Sequence, residues 1–298
     1  MIPTSSINDI TVAEFRGALA FLLEFMSWQN LAAIVNSAFM TSLVGALAGA
    51  YAGAYGAQRI AERSVKRAEL QMQIRNCNTA ITLSFMVCNS MIALKQQQTK
   101  VLCDTYFAKK AQLAGFLKMR AGGEIHPEVP FDFTAELGSV PFPTVPIDAL
   151  RSLVYEKLPV SPRPIALVAT LTGALSSLAE TIENRNGLLS KFKNATPEHG
   201  NLLAFYFGLP YAGGHVSTEY PDAMDALKNL TDDVIFFSHL LCKDLEAHGN
   251  QVLYKLRSNF KGVVDQIHAI ELSPERTADL IPPAEQYSEW MSGFRETK

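Results

Sequence analysis

Apolar residues recur along this chain at steps of three and four, and the steps divide it into a few long helices. The clearest run is Leu70, Ile74, Cys77, Ile81, Phe85, Cys88 and Ile92, one stripe of a long helix. Leu83, Val87, Met91 and Leu94 open a second apolar face. A helix covered on two faces belongs inside a bundle rather than in a two-stranded coil. Between residues 57 and 119 there is no proline and one glycine, Gly115, so nothing punctuates this helix.

Two later stretches repeat the pattern. Pro164 suits a first helical turn, and Leu167, Leu171, Leu175, Leu178, Ile182 and Leu189 follow it. Met224, Leu227, Leu230, Val234, Leu241, Leu245, Val252, Leu256 and Phe260 predict a third helix over about 221–265. Three apolar stripes in one chain are buried most simply as an antiparallel bundle, so the fold class is mainly all-α.

Irregular, proline-rich inserts separate the helices. Residues 122–164 hold a candidate short strand, Phe131-Asp132-Phe133-Thr134, and a short helix over 147–157. Residues 202–211 are apolar inside a stretch, 200–215, without any charge. They are too few to span a bilayer, and read either as a buried cap over the bundle end or as an exposed patch for a partner or membrane. The tail, broken by Pro274, Pro282 and Pro283, ends in a helix with Tyr287, Trp290, Met291 and Phe294 on one face. It either docks on the bundle or recognises a partner.

One segment obeys none of this periodicity. Residues 25–58 contain no Asp, Glu, Lys or Arg, and 31–57 read LAAIVNSAFMTSLVGALAGAYAGAYGA. A bilayer core about 30 Å thick takes about 20 helical residues, and this segment supplies them. Tyr51 and Tyr55 stand near its far end, where an amphipathic ring suits the headgroup boundary. The competing reading is a small-residue helix buried between others in a water-soluble protein. Ahead of it, Thr11 and Glu14 form a capping box, and Phe15, Leu19, Leu22 and Met26 predict an amphipathic helix at the membrane interface. The expected organisation is therefore an interfacial helix over 1–30, a transmembrane helix over 31–57 continuing into a cytoplasmic bundle over 58–271, and a tail over 272–298.

Gly45, Gly49 and Gly53 stand four apart with Ser42 one turn before them, which stacks small residues along one helix face. Such a face lets a second backbone approach closely, and van der Waals contact then drives helix association in lipid. The implied partners are the lipid bilayer, further copies of this chain and an unidentified protein. Sidedness follows from the flanks: Arg59, Arg63, Lys66 and Arg67 follow the segment, whereas Asp9, Glu14, Arg16 and Glu24 precede it. The positive-inside rule then puts the C-terminal side in the cytoplasm of an inner or plasma membrane.

Composition changes this picture little. Charged residues make up 18 % of the 298, below the roughly 25 % usual for soluble domains, and the net charge of −3 gives no reason to expect a nucleic-acid partner. The four cysteines, Cys77, Cys88, Cys103 and Cys242, lie within apolar helical patterns and read as buried reduced thiols. No GxSxG elbow, Walker loop, HExxH or CxxC spacing is present, so no cofactor or metal is expected. His239, Cys242, Asp244 and His248 share one helix but divide between two faces, which suits ordinary core and surface residues better than a metal site. The dipeptides Cys77-Asn78 and Cys88-Asn89 lie eleven residues apart, about three turns, so both copies face the same way and can fix helix register.

The function these features predict is a single-pass, membrane-anchored interaction protein that self-associates, as a sensor or a membrane effector. Two alternatives stand beside it. One is a membrane-tethered enzyme with a pocket between bundle and inserts, drawing on His215, His239 and Asp244; the other is a soluble helical structural protein.

Overall fold

The computed structural model describes residues 38–194, 202–270, 272, 277 and 279–294. The amphipathic helix expected before residue 31, and the first seven residues of the apolar segment, lie outside them. Two compact units divide the chain, Met1–Lys66 and Arg67–Lys298.

Helices dominate, and the described residues contain no strand, only an isolated bridge between Tyr211 and His215. Helix α1 runs Ala38–Leu94, passes through one π-helical turn at Lys95–Thr99, and resumes as α2, Lys100–Ala121. The short α3, Ile147–Ser152, follows the proline-rich insert and ends in a second π turn, Leu153–Lys157. Then come α4, Pro162–Asn194; α5, Leu202–Phe207; α6, Glu219–Asn259; and the terminal α7, Ser288–Ser292. The candidate strand at 131–134 is irregular chain instead. Its Phe131 and Phe133 pack on the core as loop side chains, so burial without a strand partner explains the apolar alternation.

In the Arg67–Lys298 unit, α6 lies between α1–α2 and α4, antiparallel to both. Along α1, Cys77 meets the carbonyl of Leu245, Ser84 that of Ser238 and Cys88 that of Ile235, so partners descend α6 as they climb α1. Along α4, Arg163 pairs with Asp244 near one end and Arg185 with Tyr220 near the other. The three predicted stripes form the core: Ile74, Ile81 and Cys88 on α1, Leu167, Leu171 and Leu178 on α4, and Val234, Leu241 and Leu245 on α6 are all essentially unexposed. Each contributes about 1.5–3 kcal/mol through burial of its apolar side chain. Val87 and Leu94, on the second face of α1, are buried as well. The inserts and tail close the bundle: Tyr206 and Phe207 of α5 are buried, and Tyr287, Trp290 and Met291 of the tail pack on the core.

Candidate membrane helix and polar clusters of the bundle

The residues the sequence nominated sit on the first part of α1, and this part differs from the rest of the molecule. From 38 to 58 the described side chains are exposed or half-exposed, without a charge among them. Leu43, Val44 and Leu47 are 42 %, 58 % and 54 % exposed, although each would be buried in an ordinary core. Ser42 is exposed too, and a Cβ placed on Gly45, Gly49 or Gly53 would meet nothing within 4 Å. The small-residue ridge is therefore open to any partner. Tyr51 and Tyr55, one turn apart, stack with ring centroids 6.4 Å apart.

The cations that follow divide by environment. Arg59, Arg63 and Lys66 are exposed. Arg67, half-buried, places its guanidinium 5.9 Å from the centre of the Phe260 ring. It belongs to the Arg67–Lys298 unit, with its charge over an aromatic face.

By length and composition, two helices could cross a membrane, Met40–Ala121 and Pro162–Lys193. Half of the most apolar window in the first is buried, and no described residue before Leu70 is buried, so that window lies in the bundle. The second is α4, whose leucines face α6. The distinction of 38–58 is thus its lack of charge together with its exposure, rather than extreme apolarity.

Within the bundle, the carboxylate nominated for chemistry finds an ordinary partner, while among the described residues Arg120 Nε, Arg185 Nε and His248 Nε2 are buried without a hydrogen-bond partner. Asp244 accepts two hydrogen bonds from Arg163, at 2.7 and 2.5 Å. His239 stands five residues earlier on α6, about 140° around the helix, and burial lowers its affinity for a proton. His215 precedes α6, and about 30 Å of helix separates the start of α6 from His239. The three residues of the enzyme alternative are not brought together. Among the described residues, no group of His, Cys, Asp and Glu is placed to hold a metal.

A small cavity of about 160 Å³ beside the first π turn collects Lys95, Lys100, Lys228, Asp104, Asp232 and Asp279. Two of its lysines meet two of its carboxylates. Lys95 donates to Asp232 at 2.5 Å and to the Leu280 carbonyl at 2.9 Å, Lys100 to Asp104 at 2.8 Å, and Lys228 lies 5.5 Å above Phe107. Cys103, in its wall, is buried, and burial pushes its thiol up to about 12, which disfavours the thiolate.

Two arrangements escaped the sequence reading, and a third was only partly marked by it. Arg185, fully buried, donates to the Gly138 carbonyl at 3.0 Å and, at 3.3 Å, to the hydroxyl of Tyr220, whose ring packs against Tyr106, Tyr206 and Phe192. Beside it, Asn186 grips Val140 through both its amide N–H and its carbonyl, at 3.1 and 2.8 Å. Asn78 holds the returning chain in the same way, donating to the Gln266 carbonyl at 2.9 Å and accepting from the His268 N–H at 3.0 Å. The repeated dipeptide marked Asn78 as notable. Its twin Asn89 is exposed, so the repeat belongs to the cysteines that face α6, and one asparagine alone has work to do.

No family model, curated protein or solved structure matches the chain.

Proposed function

We propose that this is a single-pass, membrane-anchored helical protein that acts through self-association and protein–protein contact, with its bundle on the cytoplasmic side. The observation that carries this reading is the exposed, uncharged helix at 38–58. Its residues span about 31 Å at 1.5 Å per residue, close to the thickness of a bilayer core. A water-soluble protein that left Leu43, Val44 and Leu47 exposed would forgo about 1.5–3 kcal/mol at each, and lipid removes that cost. The open ridge of Gly45, Gly49 and Gly53 supports association between copies, since a second helix can approach it closely. A more specific version makes the chain an effector whose membrane helices perturb the bilayer.

Replacement of Gly49 by Ile tests the reading in the full-length protein. In a membrane self-association assay, wild type is expected to form oligomers and the variant to lose most of them. Undiminished association of the variant would remove the glycine ridge from the interface.

A further inference from the structure

We infer that the helix carries, opposite its glycine ridge, a second ridge that recognises the phosphate headgroups of anionic lipids. This inference rests on the membrane reading and adds a lipid class to it. Leu47, Tyr51, Tyr55, Arg59 and Arg63 follow one another at intervals of four on α1, and Lys66 lies one turn past Arg63. Residues four apart are neighbours on a helix face, so the chemistry along this ridge changes in order from aliphatic to aromatic to cationic. That is the order in which a bilayer changes from hydrocarbon to headgroup. The step from Tyr55 to Arg59 is about 6 Å along the axis, within the depth of one interfacial layer.

Two observations separate this ridge from a merely solvated face. The first is its position around the helix. Tyr51 lies between Gly49 and Gly53 in height, and two residues turn the helix by about 200°, so the rings point away from the small-residue ridge. A partner helix seated on Gly49 and Gly53 leaves the tyrosines facing lipid, and the cations follow beyond them. The second is the state of the charges. Among the described residues no carboxylate pairs with Arg59, Arg63 or Lys66. The nearest acid on the helix, Glu62, accepts instead from the Gln58 amide at 2.9 Å. Three exposed cations with no counter-ion among the described residues, just beyond an uncharged helix, match a phosphodiester anion. Guanidinium adds bidentate geometry to the charge. Arg67, engaged with Phe260, is outside the set.

The full-length protein, reconstituted in phosphatidylcholine vesicles with a minority of phosphatidylglycerol, gives the test. Spin-labelled phosphatidylglycerol and phosphatidylcholine report which lipid is motionally restricted at the protein surface. Wild type is expected to favour the anionic label about fivefold or more at low ionic strength, as expected of even one basic residue near the surface. The preference should shrink in high salt. The variant Arg59→Gln/Arg63→Gln/Lys66→Gln should fall to near parity, whereas Arg75→Gln, an exposed cation outside the ridge, should keep the preference. Equal selectivity in wild type and the triple variant, or parity in wild type that has entered the vesicles, overturns the inference and leaves the membrane reading standing. Wild type that does not float with the vesicles overturns both.

Discussion

Ser84 on α1 donates its hydroxyl to the carbonyl oxygen of Ser238 on α6 across 2.9 Å, and both side chains are wholly buried. A side-chain oxygen this close to a neighbouring helix's backbone requires small residues on both sides. Cys77, Ala80, Cys242 and Gly249 supply them along the same seam. At Gly249 an added Cβ would lie 3.4 Å from Cys77 Sγ and 2.7 Å from the Ile267 tip, so the approach is at its limit there.

This seam sets the first prediction. Ser84→Ala removes one hydrogen bond and should cost about 1 kcal/mol. Ser84→Leu must also force the helices apart, and should cost about 3 kcal/mol. Thermal unfolding of the detergent-solubilised chain should rank wild type, Ala and Leu in descending Tm. A leucine tolerated as well as alanine would mean that the helices do not touch at this level.

The same seam holds the cysteines and gives the pH dependence. Burial pushes Cys77 and Cys242 up to about 11, and Cys88 and Cys103 up to about 12, from an ordinary 9.0. Above pH 9 the unfolded chain releases thiol protons that the folded chain retains, so stability should fall from about pH 9 towards 11–12, and be whole below 9. On the acid side, burial lowers His239 and His248 from 6.5. There the unfolded chain gains protons first, and stability should also fall as pH drops past 6.5. Tm against pH should therefore show a plateau between about 7 and 9, with the alkaline loss reduced in Cys88→Ala. A Tm that climbs beyond pH 9 would contradict the buried thiols.

The two Cys-Asn dipeptides are alike in sequence and unlike in consequence. Asn78→Ala breaks both bonds to the 266–268 segment and should lower stability by about 1–2 kcal/mol. Asn89→Ala, at an exposed position, should change it by less than about 0.5 kcal/mol. Hydrogen exchange should locate the Asn78 effect at the His268 amide. Equal effects at the two sites would give the repeat a shared role after all.

How much of this could be read from the residues varies with the range of the interactions. The three long helices and their apolar stripes follow from periodicity, which is local, and from Leu70 to Ile92 the stripe is buried at every position but Phe85. The antiparallel arrangement follows from joining such stripes in one chain. The helix expected over 221–265 stops at Asn259. Gly262, at φ 70°, turns the chain back, and Ile267 packs beside the helices. Apolar residues continue through that turn, so periodicity alone runs past the helix end. Arg185 and Asn186 were silent, because a buried guanidinium and a backbone-gripping amide are defined by Gly138, Val140 and Tyr220, partners far away in sequence. The glycine ridge was visible from spacing. The tyrosine–arginine ridge uses the same interval, but its residue types change along its length, so no single composition marks it.

Membrane residence is the claim on which the functional account depends, and alkaline carbonate extraction of membranes from cells expressing the intact chain tests it most directly. The account predicts that the protein stays in the pellet, is released by detergent, and becomes extractable when residues 31–57 are deleted. Recovery of the intact chain in the carbonate supernatant without detergent would contradict it.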